Sequence, residues 1–280
     1  MKILLVGSNA ALSESLIPIL SGKYEVVKSA RRNTDFCIDL EKDVDIPEGI
    51  DVIVNVAAYF DTDTINVIKA YEINTIGVLK LCLEAKKKKI KHFIQVSSAY
   101  AYASSGSPYY TQYAITKRHT DEILKYFCDT NKIPLAIIRP SQIYGDSDSF
   151  RKNQPFFYTI IDKAEQGDDI TIYGSHNPLR NYIHADDVSY SIYEIIRQNA
   201  EGVFSCMYPQ DTSFVEIAQT AINICHSRER CSRIVFLKDQ KNIPDNIFEK
   251  DSHLYETINR FPQIDLTTGI ERIKNFRSKK

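Results

Sequence analysis

Tyr113 and Lys117 stand four residues apart, a spacing that puts both side chains on one face of a helix, about one turn from each other. A tyrosine and a lysine so placed can serve one reactive point. The ammonium stabilises phenolate and lowers the tyrosine pKa towards working pH, which equips it for proton transfer. Ser97 and Ser98 close an apolar run just upstream, where a hydroxyl can hydrogen-bond the same substrate oxygen. Alone, a Tyr-x-x-x-Lys pair is common on solvated helix faces, so its meaning depends on the elements that position it.

Those elements alternate. Lys2 to Val6 is an apolar run that meets Gly7, and Ala10 to Leu20 then carries helical apolar spacing, so the chain opens as strand, turn and helix. A dinucleotide fingerprint asks for glycines at 7, 10 and 13, and the chain has Gly7, Ala10 and Ser13. Gly7 remains where the tight turn needs it. Ala10 puts a methyl where backbone approaches pyrophosphate, and Ser13 is small where helix packs on strand. Tyr24 to Ser29 reads as a second strand, followed by Arg31 and Arg32 with no acid at its end. An acid there would bind a ribose 2′-hydroxyl, whereas arginine accommodates a 2′-phosphate. The cofactor expectation is therefore NADP or NAD, with NADP slightly favoured and Arg31 as the contact.

A short third strand follows over 35–38. Asp51 to Ala58 is a near-continuous β-branched run, as expected of a parallel strand buried on both faces. Its small Ala57 and Ala58 let a cofactor come close to backbone. A helix over 64–89, a strand over 91–97, a helix from Tyr113 to about 131 and a strand over 135–139 complete the alternation. The pattern predicts an α/β fold: a Rossmann-type doubly wound parallel sheet over residues 1–145, with its site at the strands' C-terminal ends. Residues 146–280 are expected to form a smaller C-terminal α/β substrate lobe with partial returns to the main sheet. There, Ser213 and Glu216 form a capping box ahead of a helix over 214–224.

Seven ordered pieces give a resemblance. They are the Gly7 turn, Val-Ile-Val-Asn-Val-Ala-Ala at 52–58, the Asn74 helix, Val-Ser-Ser-Ala at 96–99, Tyr113-x-x-x-Lys117, Arg-Pro-x-x-x-Tyr-Gly at 139–145, and Arg-Asn-Tyr-Ile-His-Ala-Asp-Asp-Val at 180–188. Together they resemble the extended short-chain dehydrogenase/reductases, the NAD-dependent epimerase/dehydratase family, which acts mainly on nucleotide sugars. The resemblance implies Tyr113 as acid/base and Lys117 as binder of nicotinamide-ribose hydroxyls. It implies Ser98, favoured over Ser97, as hydrogen-bond partner of the reacting oxygen, and Asn74 as holder of the site geometry. Gly7, Ala10, Ala11, Leu12, Arg31, Asp39, Leu40, Ala57, Ala58, Tyr113, Lys117 and Pro140 would line the cofactor. Ser98, Gln142 and Arg180 would meet the substrate, with Arg180 on the nucleotide diphosphate. His184 reads as a packing histidine.

The chain also departs from the family pattern. Fifteen positions separate Ser98 from Tyr113, a shorter loop than is usual. Gln142 replaces a frequent asparagine. Ala99-Tyr100 stands where sugar 4,6-dehydratases carry an acidic pair, which argues against elimination. The remaining expectations are a nucleotide-sugar 4-epimerase or 4-keto reductase. The stretch Thr34 to Asp39, with 52–58, looks like the dTDP-4-dehydrorhamnose reductases. The alternatives are a carbonyl reductase on a non-sugar substrate and a non-catalytic dinucleotide-sensing protein.

Composition bounds the rest. The chain has 280 residues, 43% hydrophobic and 25% charged, with a net charge of -1. Nothing there calls for nucleic acid or a membrane. Six scattered cysteines without a Cys-x-x-Cys pair read as buried, reduced thiols of a cytoplasmic protein, with no metal site. The resemblance further implies a possible homodimer through helices over about 64–89 and 110–131.

Overall fold

β1 (Lys2–Val6) is buried from Ile3 onward and feeds α1 (Ala11–Ser21), whose Leu12, Leu16 and Leu20 recur at four-residue intervals and turn inward. The computed structural model describes residues 1–61, 64–225 and 231–279. β2 (Glu25–Ala30), β3 (Phe36–Cys37) and β4 (Val52–Asn55) follow. A 3₁₀ turn at Thr64–Asn66 then leads through α2 (Val67–Tyr71) and a π-helical segment, Glu72–Gly77, into α3 (Val78–Lys87). The single helix expected over 64–89 is therefore broken in register. β5 (His92–Val96), a 3₁₀ turn at Ala99–Tyr102, α4 (Gln112–Asn131) and β6 (Leu135–Pro140) come next.

Farther on lie β7 (Gln142–Tyr144), α5 (Pro155–Gln166), β8 (Ile170–Tyr173), β9 (Leu179–Arg180) and β10 (Tyr182–His184). The chain continues with α6 (Ala185–Gln198), β11 (Gly202–Cys206), β12 (Thr212–Ser213), α7 (Phe214–Cys225), β13 (Ile234–Leu237), α8 (His253–Ile258) and α9 (Leu266–Arg277).

Seven strands form one sheet in the order β11-β6-β5-β4-β1-β2-β3, and every pairing is parallel. This is the Rossmann-type doubly wound sheet. Its central strands β4 and β5 are buried at every residue, as helices on both faces require. On one face Leu4, Ile53, Leu81, Phe93 and Leu124 share a core. The order reverses between β1 and β4, the place where open α/β sheets bind ligands. β11, which no sequence pattern announced, pairs with β6 from Gly202 against Ala136 to Cys206 against Pro140.

The chain divides into two compact units. One comprises Met1–Pro140, Val188–Cys206 and Asp251–Phe261, and holds the sheet. The other comprises Ser141–Asp187, Met207–Lys250 and Pro262–Lys280. In the second unit, β7 pairs with β10 and β8 with β13 in parallel, while β9 and β12 pair antiparallel. Phe156 of α5 stacks on Phe214 of α7 at 4.1 Å. The capping box is reciprocal: Ser213 N–H donates to Glu216 Oε2 at 2.6 Å, and Glu216 N–H to Ser213 Oγ at 3.2 Å. Buried His184 accepts from Asp186 N–H at Nδ1 and donates from Nε2 to Asp146 Oδ1 at 3.0 Å, and Arg272 bridges Asp146 and Asp186, so this histidine packs as expected.

All six cysteines are free, but Cys37 and Cys231 are exposed, which corrects the expectation of uniformly buried thiols. Among the described residues no three His, Cys, Asp or Glu side chains gather as a metal site, and no helix is long and apolar enough to cross a membrane.

Candidate active site

α4 begins at a threonine cap, Thr111 Oγ1 accepting from Ala114 N–H at 3.4 Å, and this start places Tyr113 in its first turn. Lys117, one turn on, is 2% exposed. Its Nζ donates to the Val96 carbonyl at 3.0 Å and lies 5.8 Å from the centre of the Tyr113 ring. The lysine is thereby seated on the end of β5. Ser98 is the second residue after that strand. Its Oγ accepts from Tyr100 N–H at 3.2 Å and hydrogen-bonds Tyr113. Ser97 faces elsewhere, donating to buried Asp121 Oδ2 at 2.9 Å. The two adjacent serines therefore have different partners, and only Ser98 joins the tyrosine.

Burial raises the Tyr113 pKa above its ordinary value, Tyr100 and Asp121 add to the rise, and the hydrogen bond from Ser98 opposes it. This reverses the expectation that Lys117 would lower it. Packed against Phe60 and Tyr100, a phenolate loses more hydration than an ammonium seated on a neighbouring carbonyl returns. Burial also pushes Lys117 down to about 8, with the charge of Asp121 pulling the other way. Aromatic rings wall the tyrosine: Phe60 meets it edge-on at 4.9 Å and Tyr100 at 6.1 Å.

Asn74 lies in the π-helical segment and is 2% exposed. Its Oδ1 accepts from Tyr59 N–H at 2.7 Å, and its Nδ2 donates to the Tyr59 carbonyl at 2.9 Å and to Thr116 Oγ1 at 3.2 Å. It thus clamps the segment after β4 to α4 beside Tyr113. Arg118 ties the 99–110 loop to the same helix, donating to the carbonyls of Ala101 and Ala103. Thr116, Arg118, Asp121 and Arg139 went unassigned from sequence. Two of them left a signal there: Asp121, one further helical turn beyond Lys117, and Arg139, which opens the Arg-Pro-x-x-x-Tyr-Gly stretch.

The turn after β1 fits a dinucleotide. Gly7 has φ +93°, and a Cβ on it would stand 2.6 Å from the Ala57 backbone nitrogen. The ends of β1 and β4 therefore meet backbone to backbone at the point where strand order reverses. Ala10, the N-cap of α1, supplies no side-chain acceptor. The first-turn N–H groups of Ala11 and Leu12 thus form the kind of helix start that binds phosphate. Ser13 Oγ donates to the Gly7 carbonyl at 3.0 Å, bracing the turn where a third glycine would merely pack.

The turn is also tied to the arginine loop, with Asn9 Nδ2 donating to the Arg32 carbonyl at 3.0 Å and Ser8 Oγ 3.3 Å from Thr34 Oγ1. Arg31 is exposed, with Glu41 3.8 Å away. Asp39 caps a turn by accepting from Glu41 N–H at 3.2 Å. Leu40 is buried against Gly77, Ala58 is exposed, and Pro140 ends β6.

Gln142 and Arg180 belong to the second unit. Gln142 Nε2 donates to Gln154 Oε1 at 3.0 Å, while its own Oε1 is buried without a hydrogen-bond partner. Arg180 is 7% exposed, donates to the carbonyls of Leu179 and Pro244, and stacks over Phe214 at 4.7 Å.

The sequence model of the NAD dependent epimerase/dehydratase family matches residues 5–207. The chain belongs to this family. It is 26% identical over 199 residues to CDP-abequose synthase of Salmonella typhimurium, covering 68% of this chain and 66% of that one. It is also 26% identical over 201 residues to dTDP-D-glucose 4,6-dehydratase of Dictyostelium discoideum, covering 63% and 45%. The matches span less than two thirds of either relative's length. The fold is similar to the crystal structure of UDP-N-acetylglucosamine 4-epimerase from Bacillus cereus, with TM-score 0.82 and 16% identity, over 100% of this chain and 97% of that one.

Proposed function

We propose that this family member is an NAD(P)-dependent enzyme acting at C4 of a nucleotide-linked sugar, and that reduction of a 4-keto sugar is the reaction its site is set for. The observation that carries this reading is the placement of three side chains: Tyr113 in hydrogen-bond contact with Ser98, and Lys117 one helical turn on, seated at the end of β5 and 5.8 Å from the Tyr113 ring centre. A phenol so placed is ready to donate a proton, the need of a carbonyl that is becoming an alkoxide. NAD(P)H, when bound, supplies the hydride. Ser98 holds the reacting oxygen, Tyr113 Oη gives it a proton, and the Lys117 ammonium stabilises the phenolate that remains. Asn74 keeps the segment after β4 in register with α4.

Ala99 and Tyr100 follow Ser98 with no carboxylate, so the elimination named for the Dictyostelium relative lacks its acid and base here. The Salmonella relative is named as a synthase of a CDP-linked sugar, which agrees with a nucleotide-sugar substrate. Arg31 supports NADP. Glu41, 3.8 Å from Arg31, offsets that charge and favours the second reading, an NAD-retaining 4-epimerase. The deciding experiment incubates the full chain with NADPH or NADH and a panel of nucleoside-diphosphate 4-keto sugars. Consumption of reduced dinucleotide with formation of a 4-hydroxy sugar is expected. Interconversion of 4-epimeric sugars without net consumption would establish the epimerase instead.

A homodimer through α2–α3 and α4 is part of the same proposal. Ile68 and Tyr126, each 69% exposed, and Ile76, 49% exposed, are apolar side chains left on these helices. Ile68→Lys combined with Ile76→Lys should then halve the mass measured in solution.

A further inference from the structure

We propose that Asp121 is a positioning residue of this site: its buried carboxylate, one helical turn beyond Lys117, keeps that lysine charged and fixes the strand end that presents Ser98.

Lys117 and Asp121 share one face of α4, and each grips a successive residue at the end of β5. Lys117 Nζ donates to the Val96 carbonyl at 3.0 Å, and Asp121 Oδ2 accepts from Ser97 Oγ at 2.9 Å. Ser98 is the next residue, so its position is set by two consecutive anchors from the helix that carries Tyr113. Asp121 is fully buried, and its Oδ1 has no hydrogen-bond partner. A carboxylate in such a place is costly unless cations compensate it. One of them is Arg139 of β6, whose Nε donates to Oδ2 at 2.8 Å and whose guanidinium lies 4.5 Å from the Tyr102 ring. The other is Lys117.

The groups facing this pair are thus Tyr113 on α4, Ser97 beyond β5, Arg139 on β6, and Tyr100 and Tyr102 on the intervening 3₁₀ turn. Asp121 is the only carboxyl among them; burial raises its pKa, and Arg139, Ser97 and Lys117 work against that rise. Burial drives Lys117 towards the neutral amine, and Asp121 is the charge that opposes it. Without that charge, the lysine would lose the ammonium on which phenolate stabilisation depends. The consequence for turnover rests on the proposed reductase reading, but the relation between the two side chains does not.

The test is therefore made on the lysine itself. The full-length, cofactor-free protein, labelled with ¹³C at lysine Cε, is titrated by NMR, with the Lys117 signal assigned by its loss in Lys117→Arg. In Asp121→Asn the Lys117 midpoint should fall by at least about one pH unit, a tenfold change in the acid constant. Asp121→Asn with Arg139→Gln removes both members of the buried ion pair. It carries the test if the single variant does not fold, because it leaves no uncompensated guanidinium. Asp121→Glu should hold the midpoint closer to wild type than Asp121→Asn does. A Lys117 midpoint that stays at the wild-type pH in folded Asp121→Asn, or that in the double variant is no lower than in Arg139→Gln alone, overturns the proposal. Absence of turnover on every sugar tried would strike the reductase reading and leave the titration result standing.

Discussion

Tyr113 and Lys117 carry opposite costs of burial, and each cost makes a measurable prediction. Tyr113→Phe removes one oxygen from a walled position and leaves the β1 turn untouched. Turnover should fall by about 10²–10⁴-fold, the usual worth of a positioned proton donor, while dinucleotide affinity measured by fluorescence stays as in wild type. A Tyr113→Phe protein with ordinary turnover would remove Tyr113 from the mechanism.

Lys117 is a charge the fold holds at a loss. Its folded pKa, about 8, lies below the ordinary 10.5, so the unfolded chain binds the proton more tightly. The penalty is fully present below pH 8 and disappears as pH rises from 8 through 10.5. It amounts to about 3 kcal/mol at neutral pH, offset in a variant by about 1 kcal/mol for the lost bond to Val96. Lys117→Met should therefore melt higher than wild type at pH 7, by roughly 4 °C or more, with the gap closing towards pH 10. A variant that melts lower at pH 7 would show that the lysine is structurally required.

At the scale of elements, the register slip at Glu72–Gly77 holds the site together. The Thr120 hydroxyl of α4 lies 2.6 Å from the Asn74 carbonyl, an intrusion of the kind that displaces helical ladders. Gly77 closes the segment, and a Cβ on it would come 2.4 Å from the Leu40 carbonyl oxygen and 2.6 Å from Leu40 Cβ. Backbone cannot yield there cheaply. Gly77→Ala should lose about 1–3 kcal/mol of stability by denaturant unfolding, despite alanine's higher helix propensity. Equal or greater stability would mean that the segment repacks freely.

None of this was legible in the sequence, because the slip is imposed by a hydroxyl 46 residues away. β1, β4 and β5 were legible, since apolar runs ending at Gly7, Ala57 and Ser97 need no distant partner to be read. β11 was not. Gly202–Cys206 is short and defined by its pairing with β6. At the site, the Tyr-x-x-x-Lys spacing pointed to α4, but which serine joins Tyr113 depended on Asp121 drawing Ser97 away. The direction of the Tyr113 shift depended on burial that spacing cannot express.

For the whole molecule, stability against acid turns on a histidine far from any chemistry. His92 opens β5, is 1% exposed, and neither ring nitrogen has a well-formed hydrogen bond. Burial lowers its pKa to about 4, with the Ala200 backbone opposing only in part. The unfolded chain, with an ordinary histidine near 6.5, therefore binds this proton first. Stability from neutral His92 is complete above about pH 6.5 and is lost as pH falls towards 4, about 2 kcal/mol of it by pH 5. Asp146 acts in a different window. Burial works against its ionisation, but His184 and Arg272 overcome that and hold its carboxyl below the ordinary range, so its contribution goes only in stronger acid. The two can be separated by where the melting temperature bends. His92→Leu fills the same apolar space without a base. Between pH 7 and 5 its melting temperature should fall by at least about 4 °C less than that of wild type. Parallel curves for the two proteins would show that His92 takes up its proton without unfolding the sheet, and that the acid limit lies with the carboxylates instead.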